Sequence, residues 1–344
     1  MKKFTKGCLM TALVLFITGL IICGVSGLLG GFRQLWELDG IGSIPFGYYR
    51  DAMGDWRIGF FSSAGYDENY PESCQTAEEI ERKLEEVAGQ KEQLALTAES
   101  LGSLDIDVEN CDVLILESAD EYVWFLADGN TDRPRYKIEN DDGRSGLTIE
   151  NDHDGYWRNR PNDTVYLWLP KACALEECEV SLGAGYMKSI YLQADQIKMS
   201  VGAGLLEVDG LEGNETGLFV GAGELLAGRI TAGKADLEIG SGHLGIQELS
   251  VSGEVDLKAG MGQIDIGGRI DGDLDLECSM GTVVLCLEGS EDDHSYDVEC
   301  GMGEIVVGGR EFGAFATKRS WNSGKNSEFE IDCSMGSVTV TFEE

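Results

Sequence analysis

Sulfur-containing side chains recur at a fixed spacing in the last third of the sequence. Three cysteines each stand two residues before a methionine, and a fourth methionine occupies the same place one repeat earlier: Cys278, Cys300, Cys333, Met280, Met302, Met335 and Met261. Such soft sulfur ligands in a row could hold Cu(I). The equivalent positions of earlier repeats carry Leu, Val, Ile or Ala instead of cysteine, and a free cysteine packs as a small hydrophobe. We therefore predict that the cysteines pack in a core, that the methionines fill volume beside them, and that no metal is bound.

Disulfides are a second chemistry that the cysteines allow. Of the ten, Cys8 and Cys23 lie in an apolar N-terminal segment, which leaves eight others. An even number is compatible with disulfide bonds in a chain outside the cytoplasm. Cys173 and Cys178 are the favoured pair, since they lie near the end of a predicted strand, but the pairing stays open.

Neither a catalytic site nor a cofactor site is indicated by the remaining motifs. The segment from Gly240 to Gly245 fits G-x-G-x-x-G, but it lies between two predicted strands, whereas a dinucleotide site needs a helix after it. The histidines, His153, His243 and His294, have no partner at metal-ligand spacing, and the first and last lie in acidic, turn-like sequence. We predict no catalytic residues, no cofactor and no enzymatic activity.

The chain is strongly acidic, with 62 Asp and Glu against 26 Lys and Arg and a formal charge of −36. Such a surface repels nucleic acid and favours cations or basic partners. Asp271, Asp273 and Asp275 alternate along one predicted strand, as solvated side chains do, although hard oxygen ligands of this kind also suit weak Ca²⁺ binding.

One basic and aromatic segment, Gly308 to Ser327, interrupts this acidic sequence. It accounts for the longest interval between repeats and carries the side chains that we select as a candidate partner-binding loop: Arg310, Phe312, Phe315, Lys318, Arg319, Trp321 and Lys325. Long loops on rigid scaffolds often carry function. Anionic cell-wall polymers or carbohydrate would suit these side chains, while an inserted end cap is the alternative.

The elements that position these residues follow from a repeat. A Gly-x-Gly or Ser-x-Gly tripeptide occurs eight times from Gly183 to Gly336, and successive final glycines are 19, 19, 19, 20, 19, 22 and 33 residues apart. Apolar residues stand five and three positions before the final glycine and two after it, as in strands with one buried face. The apolar phase slips at the glycines, where a positive φ would cost little. The repeats predict an all-β fold, a parallel β-helix (β-solenoid) of about 19-residue turns.

The N-terminal region predicts a membrane anchor. Lys2, Lys3 and Lys6 precede an apolar run from Cys8 to Leu29 that is long enough to span a bilayer. We predict three parts: a cytoplasmic tail and transmembrane anchor (1–31), a juxtamembrane segment with a helix near 76–97 (32–100), and an extracytoplasmic β-solenoid domain (101–344) with regular repeats from about residue 180. The protein would then be single-pass in the cell membrane, with its N-terminus in the cytoplasm.

The sequence resembles a bacterial putative-adhesin family of unknown function. The resemblance rests on an alternating strand from Leu104 to Leu116, a strand from Val165 that ends in Leu-Pro at Pro170, and the Gly-Ala-Gly repeats from Gly183. It implies a β-helix outside a Gram-positive-type cell, with adhesion as the suspected role and no catalytic residues. We therefore expect a non-catalytic binding, adhesion or envelope structural module, whose partner is a cell-wall polymer, carbohydrate or another envelope protein. An accessory role in envelope-stress sensing through a membrane partner is the alternative, since some relatives accompany stress regulators.

Overall fold

A computed structural model describes residues 46–50, 56–60, 84, 87–128, 135–141, 144–150, 163–171, 173–313 and 317–343. The chain divides into two units, Met1–Ser73 and Cys74–Glu344. In the first, β1 (Phe46–Arg50) pairs with β2 (Trp56–Phe60) as an antiparallel hairpin. The predicted anchor, residues 1–31, lies outside the described residues, among which no helix is long and apolar enough to cross a bilayer.

The second unit is all-β. Its first strands in chain order are β3 (Glu92–Thr97), β4 (Leu101–Ser118), β5 (Tyr122–Asp128), β6 (Arg135–Asp141), β7 (Arg144–Glu150) and β8 (Asp163–Pro170). The central strands are β9 (Ala174–Ala184), β10 (Tyr186–Ser189), β11 (Leu192–Val201), β12 (Leu205–Val220), β13 (Glu224–Ile239), β14 (His243–Val251), β15 (Val255–Ala259), β16 (Gln263–Ile270), β17 (Leu274–Cys278) and β18 (Thr282–Glu288). The last are β19 (Ser295–Cys300), β20 (Glu304–Val307), β21 (Arg310–Gly313), β22 (Thr317–Trp321), β23 (Glu328–Cys333) and β24 (Ser337–Glu343).

The helix predicted near residues 76–97 is wrong over its last part. Leu84 and Val87 are helical and pack against Leu114, Tyr166 and Trp168. A 3₁₀ turn at Ala88–Gln90 follows, and β3 then begins at Glu92. Leu94 and Leu96 are both buried, so the apolar period has already changed from the helical one to two.

The central strands form the predicted parallel β-solenoid. Leu218 on β12 pairs with Leu237 on β13, which pairs with Leu257 on β15, so each turn covers 19 or 20 residues. The pairing of β12 with β13 runs in three segments, 205–208, 210–213 and 215–220, which gives each turn three strand segments separated by corners. Leu218, Leu237 and Leu257 are fully buried, which confirms the inward column that the repeats predicted.

Close approach of the backbone, and not a positive φ, explains most of the corner glycines. Among the final glycines of the tripeptides, only Gly185 has a positive φ (131°). A Cβ on Gly223 or Gly242 would overlap the carbonyl oxygen of the corner one turn earlier. The corners stack because glycine leaves room for one backbone on another.

The turns are not stacked in chain order at either end. At the C-terminal end, β23 pairs in parallel with both β17 and β19, and β24 pairs with both β18 and β20. The last turn of the sequence therefore lies between the turn of β17–β18 and the turn of β19–β20. At the other end, β4 lies in the same way between the pair β7 and β8 and the pair β9 and β10. A coil that advances one turn per repeat, as the tripeptide spacing suggested, is wrong for these two places.

Antiparallel strands cover the two outermost turns. At the N-terminal end, β6 pairs with β7 and β5 pairs with β8. At the C-terminal end, β21 pairs with β20 and β22 pairs with β19. At the C-terminal end the chain therefore continues to the outer turn of β19 and β20, reverses through β21 and β22, which blunt the sheet edge, and returns as β23 and β24 to fill the turn left open. At the N-terminal end the chain passes from β4 to the outermost strands β5 and β6, forms β7 and β8 next to β4, and then crosses β4 to reach β9.

Candidate functional site

The sulfur columns are split between the inside and the outside of the solenoid. Cys278 pairs with Cys333, which pairs with Cys300, and all three are at most 2% exposed, so the predicted core packing of the cysteines is confirmed. A hydrogen bond with Cys333, and then burial, raise the pKa of the Cys278 thiol. The four methionines are the opposite: Met261, Met280, Met302 and Met335 are all more than half exposed. The prediction that they fill volume beside the core is wrong, because the central residue of each corner points outward.

Cys173 and Cys178, the favoured disulfide pair, are both free thiols. Burial raises the pKa of Cys173 to about 11 and that of Cys178 to about 12, so neither is a reactive thiolate at neutral pH. Cys278, Cys286, Cys300 and Cys333 are free thiols as well.

The two described histidines, His243 and His294, lie in different settings. His243 follows the corner Gly240-Ser241-Gly242 and is the first residue of β14, so a strand stands where a dinucleotide site needs a helix. Burial disfavours its charged form, but hydrogen bonds to Asp265 (3.1 Å) and Glu224 (2.8 Å) outweigh that effect and raise its pKa to about 9. His294 is buried, against the expectation of a solvated turn, and its Nδ1 lies 2.6 Å from Ser327 Oγ. His153 lies outside the described residues.

The basic segment is built into the end of the solenoid as β21 and β22. Trp321 stacks on Tyr296 (centroids 4.5 Å apart) and on Phe312 (5.1 Å), and the Arg310 guanidinium lies over its ring. Glu291 holds this cluster together, since its Oε1 accepts from Trp321 Nε1 (3.1 Å) and pairs with Arg310 (3.0 Å). We predicted that the aromatic side chains of this segment contact a partner. Phe312 and Trp321 pack against each other in the antiparallel cap that β21 and β22 form on the outermost turn, and Trp321 also packs against Tyr296 of that turn.

Local sequence explains why Glu291 is in place to do this. It begins a 3₁₀ turn, Glu291–Asp293, that a capping box closes: Ser290 Oγ accepts from Asp292 N, and the Asp293 carboxylate accepts from Ser290 N. The main-chain carbonyl of Glu291 also accepts from Tyr296 Oη (3.2 Å). The capping box thus holds Glu291 in the position from which it contacts Arg310 on β21 and Trp321 on β22.

The remaining cations of the segment fall into two groups. Lys318 on β22 bridges Asp297 (3.4 Å) and Glu299 (3.5 Å) on the neighbouring strand β19. Arg319 and Lys325 are exposed and form no ion pair with another described residue. Lys325 borders a shallow polar cleft. A hydroxyl of this cleft already forms a hydrogen bond within the protein, since Ser295 Oγ accepts from Lys325 N (3.1 Å). Phe315 lies outside the described residues.

A patch of carboxylates covers the face of the solenoid beside Lys318. We call it the acidic patch, and it is made by the outward residues of β17, β23 and β19, paired across the strands: Asp275, Glu277, Glu330, Asp332, Asp297 and Glu299. The first four form no ion pair or hydrogen bond with another described residue. Neighbours on adjacent turns are about 4.8 Å apart along the solenoid axis.

Crowding of like charge is visible in the acidic patch. Partial burial and then the carboxylates of Asp275 and Asp332 raise the pKa of Glu330. Partial burial and then Glu299 raise the pKa of Asp332. A cation placed over the patch would relieve this repulsion.

The aspartates at 271, 273 and 275 do not act as one group. Asp271 pairs with Arg269, Asp273 accepts a hydrogen bond from Glu328 N (2.8 Å), and Asp275 belongs to the acidic patch. Only Asp275 lies on β17, which begins at Leu274, and the three carboxylates have different partners, so they do not converge on one Ca²⁺ ion.

The fold is a parallel β-solenoid with interleaved ends and an acidic outer face, and the sequence places it in a known family. The chain belongs to the Toastrack DUF4097 family, whose sequence pattern matches residues 101–341. The resemblance to a putative-adhesin family of unknown function is thereby confirmed. No curated protein sequence matches the chain significantly.

The solved structures that match the chain share little sequence with it. A protein described as a putative adhesin from Bacteroides fragilis is 11% identical, over 74% of this chain and 96% of its own, with a TM-score of 0.39. A protein described as a putative lipid-binding protein from Parabacteroides distasonis is 14% identical, over 72% and 95%, with a TM-score of 0.43. A protein described as a putative cell adhesion protein from Clostridium sporogenes is 14% identical, over 74% and 99%, with a TM-score of 0.25.

Proposed function

We propose that this chain is a non-catalytic binding module of the cell envelope, anchored by residues 1–31, whose solenoid holds a basic segment of another envelope protein on the acidic patch. The observation that carries the proposal is the contact of Lys318 with Asp297 and Glu299. In that contact, a strand of the protein's own hairpin lies beside the patch and places a lysine across two carboxylates. The strands β17 and β23 are paired on both sides, so a basic segment of a partner would lie across this face of the sheet and place its cations over the four carboxylates that have no ion pair.

Geometry favours binding over catalysis at this face. The carboxylates of the acidic patch stand in parallel columns on flat strands, and Asp275, Glu277, Glu330 and Asp332 are all exposed. Carboxylates two residues apart on one strand of the patch are about 6.6 Å apart, which is also the spacing of same-face side chains in an extended basic segment lying parallel to that strand. A reacting bond needs groups that converge on one point, and these diverge into solvent.

Membrane anchoring in this proposal rests on the sequence, where three lysines precede the apolar run from Cys8 to Leu29. The contact of the Gly308–Ser327 segment with a partner stays a prediction, for which the structure leaves Arg319 and Lys325 as the available cations. Deleting that segment would be a poor test, since it removes β21 and β22 from the end of the stack. No described contact favours the envelope-stress role.

Replacement of two central carboxylates tests the proposal. The double variant Glu330→Gln/Asp332→Asn is expected to weaken binding of a decalysine peptide by roughly ten-fold, since two exposed ion pairs contribute up to about 1 kcal/mol each. Isothermal titration calorimetry of the detergent-solubilised full chain at low and physiological salt measures the affinity, which should fall as salt rises.

The matched control removes the same charge from another face of neighbouring turns. Glu288 and Glu343 are exposed and paired between β18 and β24, so Glu288→Gln/Glu343→Gln changes net charge equally without touching the acidic patch. This variant is expected to bind the peptide as the wild type does. Equal weakening by both double variants would show that the peptide responds only to overall charge, and the proposal would be rejected.

A further inference from the structure

The four exposed methionines form a single line along one edge of the solenoid. In spatial order they are Met261, Met280, Met335 and Met302, because the backbone N–H of each donates to the corner of the neighbouring turn. The acceptors are the carbonyl oxygens of Gly240 (2.7 Å), Gly260 (2.8 Å), Ser279 (2.8 Å) and Ser334 (2.7 Å). Stacked turns place neighbouring Cα atoms about 4.8 Å apart. We call this line the methionine ladder.

Packing does not account for these methionines. Met261, Met280, Met335 and Met302 are 63%, 52%, 51% and 67% exposed, and among the described residues the one other large hydrophobic side chain that is exposed is Tyr191. Earlier corners make the same backbone hydrogen bonds with small residues, since Ala203 N donates to Gly183 O and Ser241 N donates to Gly221 O, each at 2.7 Å. The corner therefore does not need a methionine, and exposing its side chain has a hydrophobic cost.

The ladder is too narrow for an apolar partner surface. Each methionine is flanked by glycine or serine on both sides, as in Gly260-Met261-Gly262 and Ser334-Met335-Gly336. The apolar strip is therefore one side chain wide, and the missing neighbours leave the thioethers free to turn toward one another. A single ion fits such a strip, whereas a protein surface needs a broad one.

Charge and ligand type then select the ion. The next outward column on the same strands carries Glu277, Asp332 and Glu299, which attracts cations to this edge. A thioether is neutral, has no proton to lose and is a soft ligand, which suits Cu(I) far better than Ca²⁺, Mg²⁺ or Zn²⁺. Methionine also has three rotatable side-chain bonds, so that sulfurs one turn apart can converge on one ion.

The sequence led us to expect no bound metal, but the exposure of the methionines reverses that expectation, and we propose that the methionine ladder binds Cu(I) through three thioethers from successive turns. Two overlapping triads are available, Met261–Met280–Met335 and Met280–Met335–Met302, and both contain Met280 and Met335. The buried cysteines cannot take part, because Cys278, Cys333 and Cys300 face the core on the other side of the same corners. The four methionine ligands are not part of the acidic patch, although Glu277, Asp332 and Glu299 of that patch lie beside the ladder.

Methyl NMR of the full chain with ¹³C-labelled methionine tests the proposal, with Ag(I) as a probe that is not oxidised in air. In a Cys286→Ser variant, which lacks the exposed competing thiol, Ag(I) is titrated beyond the nine remaining cysteine thiols. It is then expected to shift the methyl signals of the ladder and to leave those of Met187 and Met199, which are fully buried, unchanged. Ladder signals that stay unshifted at that point would overturn the proposal.

Single replacements by leucine, which keep the apolar surface and the fold, test the order of the ligands. Met335→Leu leaves no three consecutive methionines and is expected to weaken Cu(I) binding by about ten-fold or more, measured anaerobically against a chromophoric Cu(I) chelator. Met302→Leu leaves the first triad intact and should bind as the wild type does. Equal effects of the two variants, or no effect of Met335→Leu, would contradict the trigonal site.

Discussion

Truncation after Ser327 is expected to unfold the end of the solenoid well beyond the residues removed. The truncation deletes β23 and β24, which lie between two other turns and carry five side chains at most 2% exposed: Phe329, Ile331, Cys333, Val338 and Val340. Full burial of such an apolar side chain contributes about 1.5–3 kcal/mol. Their combined loss is comparable with the whole stability of an ordinary domain, about 5–15 kcal/mol.

Hydrogen exchange of the backbone amides measures this effect turn by turn. The amides of β19 and β20 should lose their protection in the truncated chain, because their parallel partners are gone. Those of β12 and β13, several turns away, should keep it, since each turn of a solenoid depends on its neighbours. Native protection of β19 and β20 after truncation would mean that the last residues form only an outer turn.

Phe329→Ala is expected to lower the free energy of unfolding by about 3–5 kcal/mol, the usual cost of removing a buried aromatic ring. Phe329 is fully buried on β23, stacks on His294 (centroids 4.1 Å apart) and meets Tyr296 edge-on at 5.7 Å. It therefore joins the interleaved turn to the aromatic cluster under the cap. Urea-induced unfolding of the full chain measures the change.

Phe312→Ala is the control for that substitution. Phe312 belongs to the same aromatic cluster through Trp321 but lies on the outermost strand β21 and is only partly buried. Phe312→Ala should lower the free energy of unfolding much less than Phe329→Ala does. Equal decreases would show that the ring of Phe329 stabilises the fold no more than a residue of the cap.

The repeats made the inward columns and the corners predictable, because glycine spacing and two-residue alternation are both local patterns. The order of the turns was not predictable in the same way. The spacing of 33 residues between the last two tripeptides is compatible with a loop inserted into a simple coil. It is equally compatible with a chain that forms the outermost turn first and then the turn inside it. Each inward column is apolar in every turn, so its composition does not say which turn lies beside which.

The candidate site shows the same limit of local patterns. The basic character of Gly308–Ser327 was evident, but the carboxylates that neutralise it come from Glu291, Asp297 and Glu299, which a fold must bring alongside. The sequence correctly placed the cysteines and the methionines in adjacent columns. It did not show that the cysteines face the core while the methionines, two residues later at the corner, face solvent. The strand at 92–97 was missed because Leu84 and Val87 set a helical spacing that Leu94 and Leu96 do not continue.

The interleaved order of the turns is the central claim, and thiol cross-linking on the outer face tests it most directly. In a chain with Cys286→Ser, cysteines are introduced in pairs as Glu277→Cys with Asp332→Cys, Asp332→Cys with Glu299→Cys, and Glu277→Cys with Glu299→Cys. Dibromobimane, which links only thiols a few ångströms apart, should join the first two pairs, whose residues are neighbours in the strand register, and should not join the third. Efficient linking of the third pair, with none of the first, would place the turns in chain order and contradict the account.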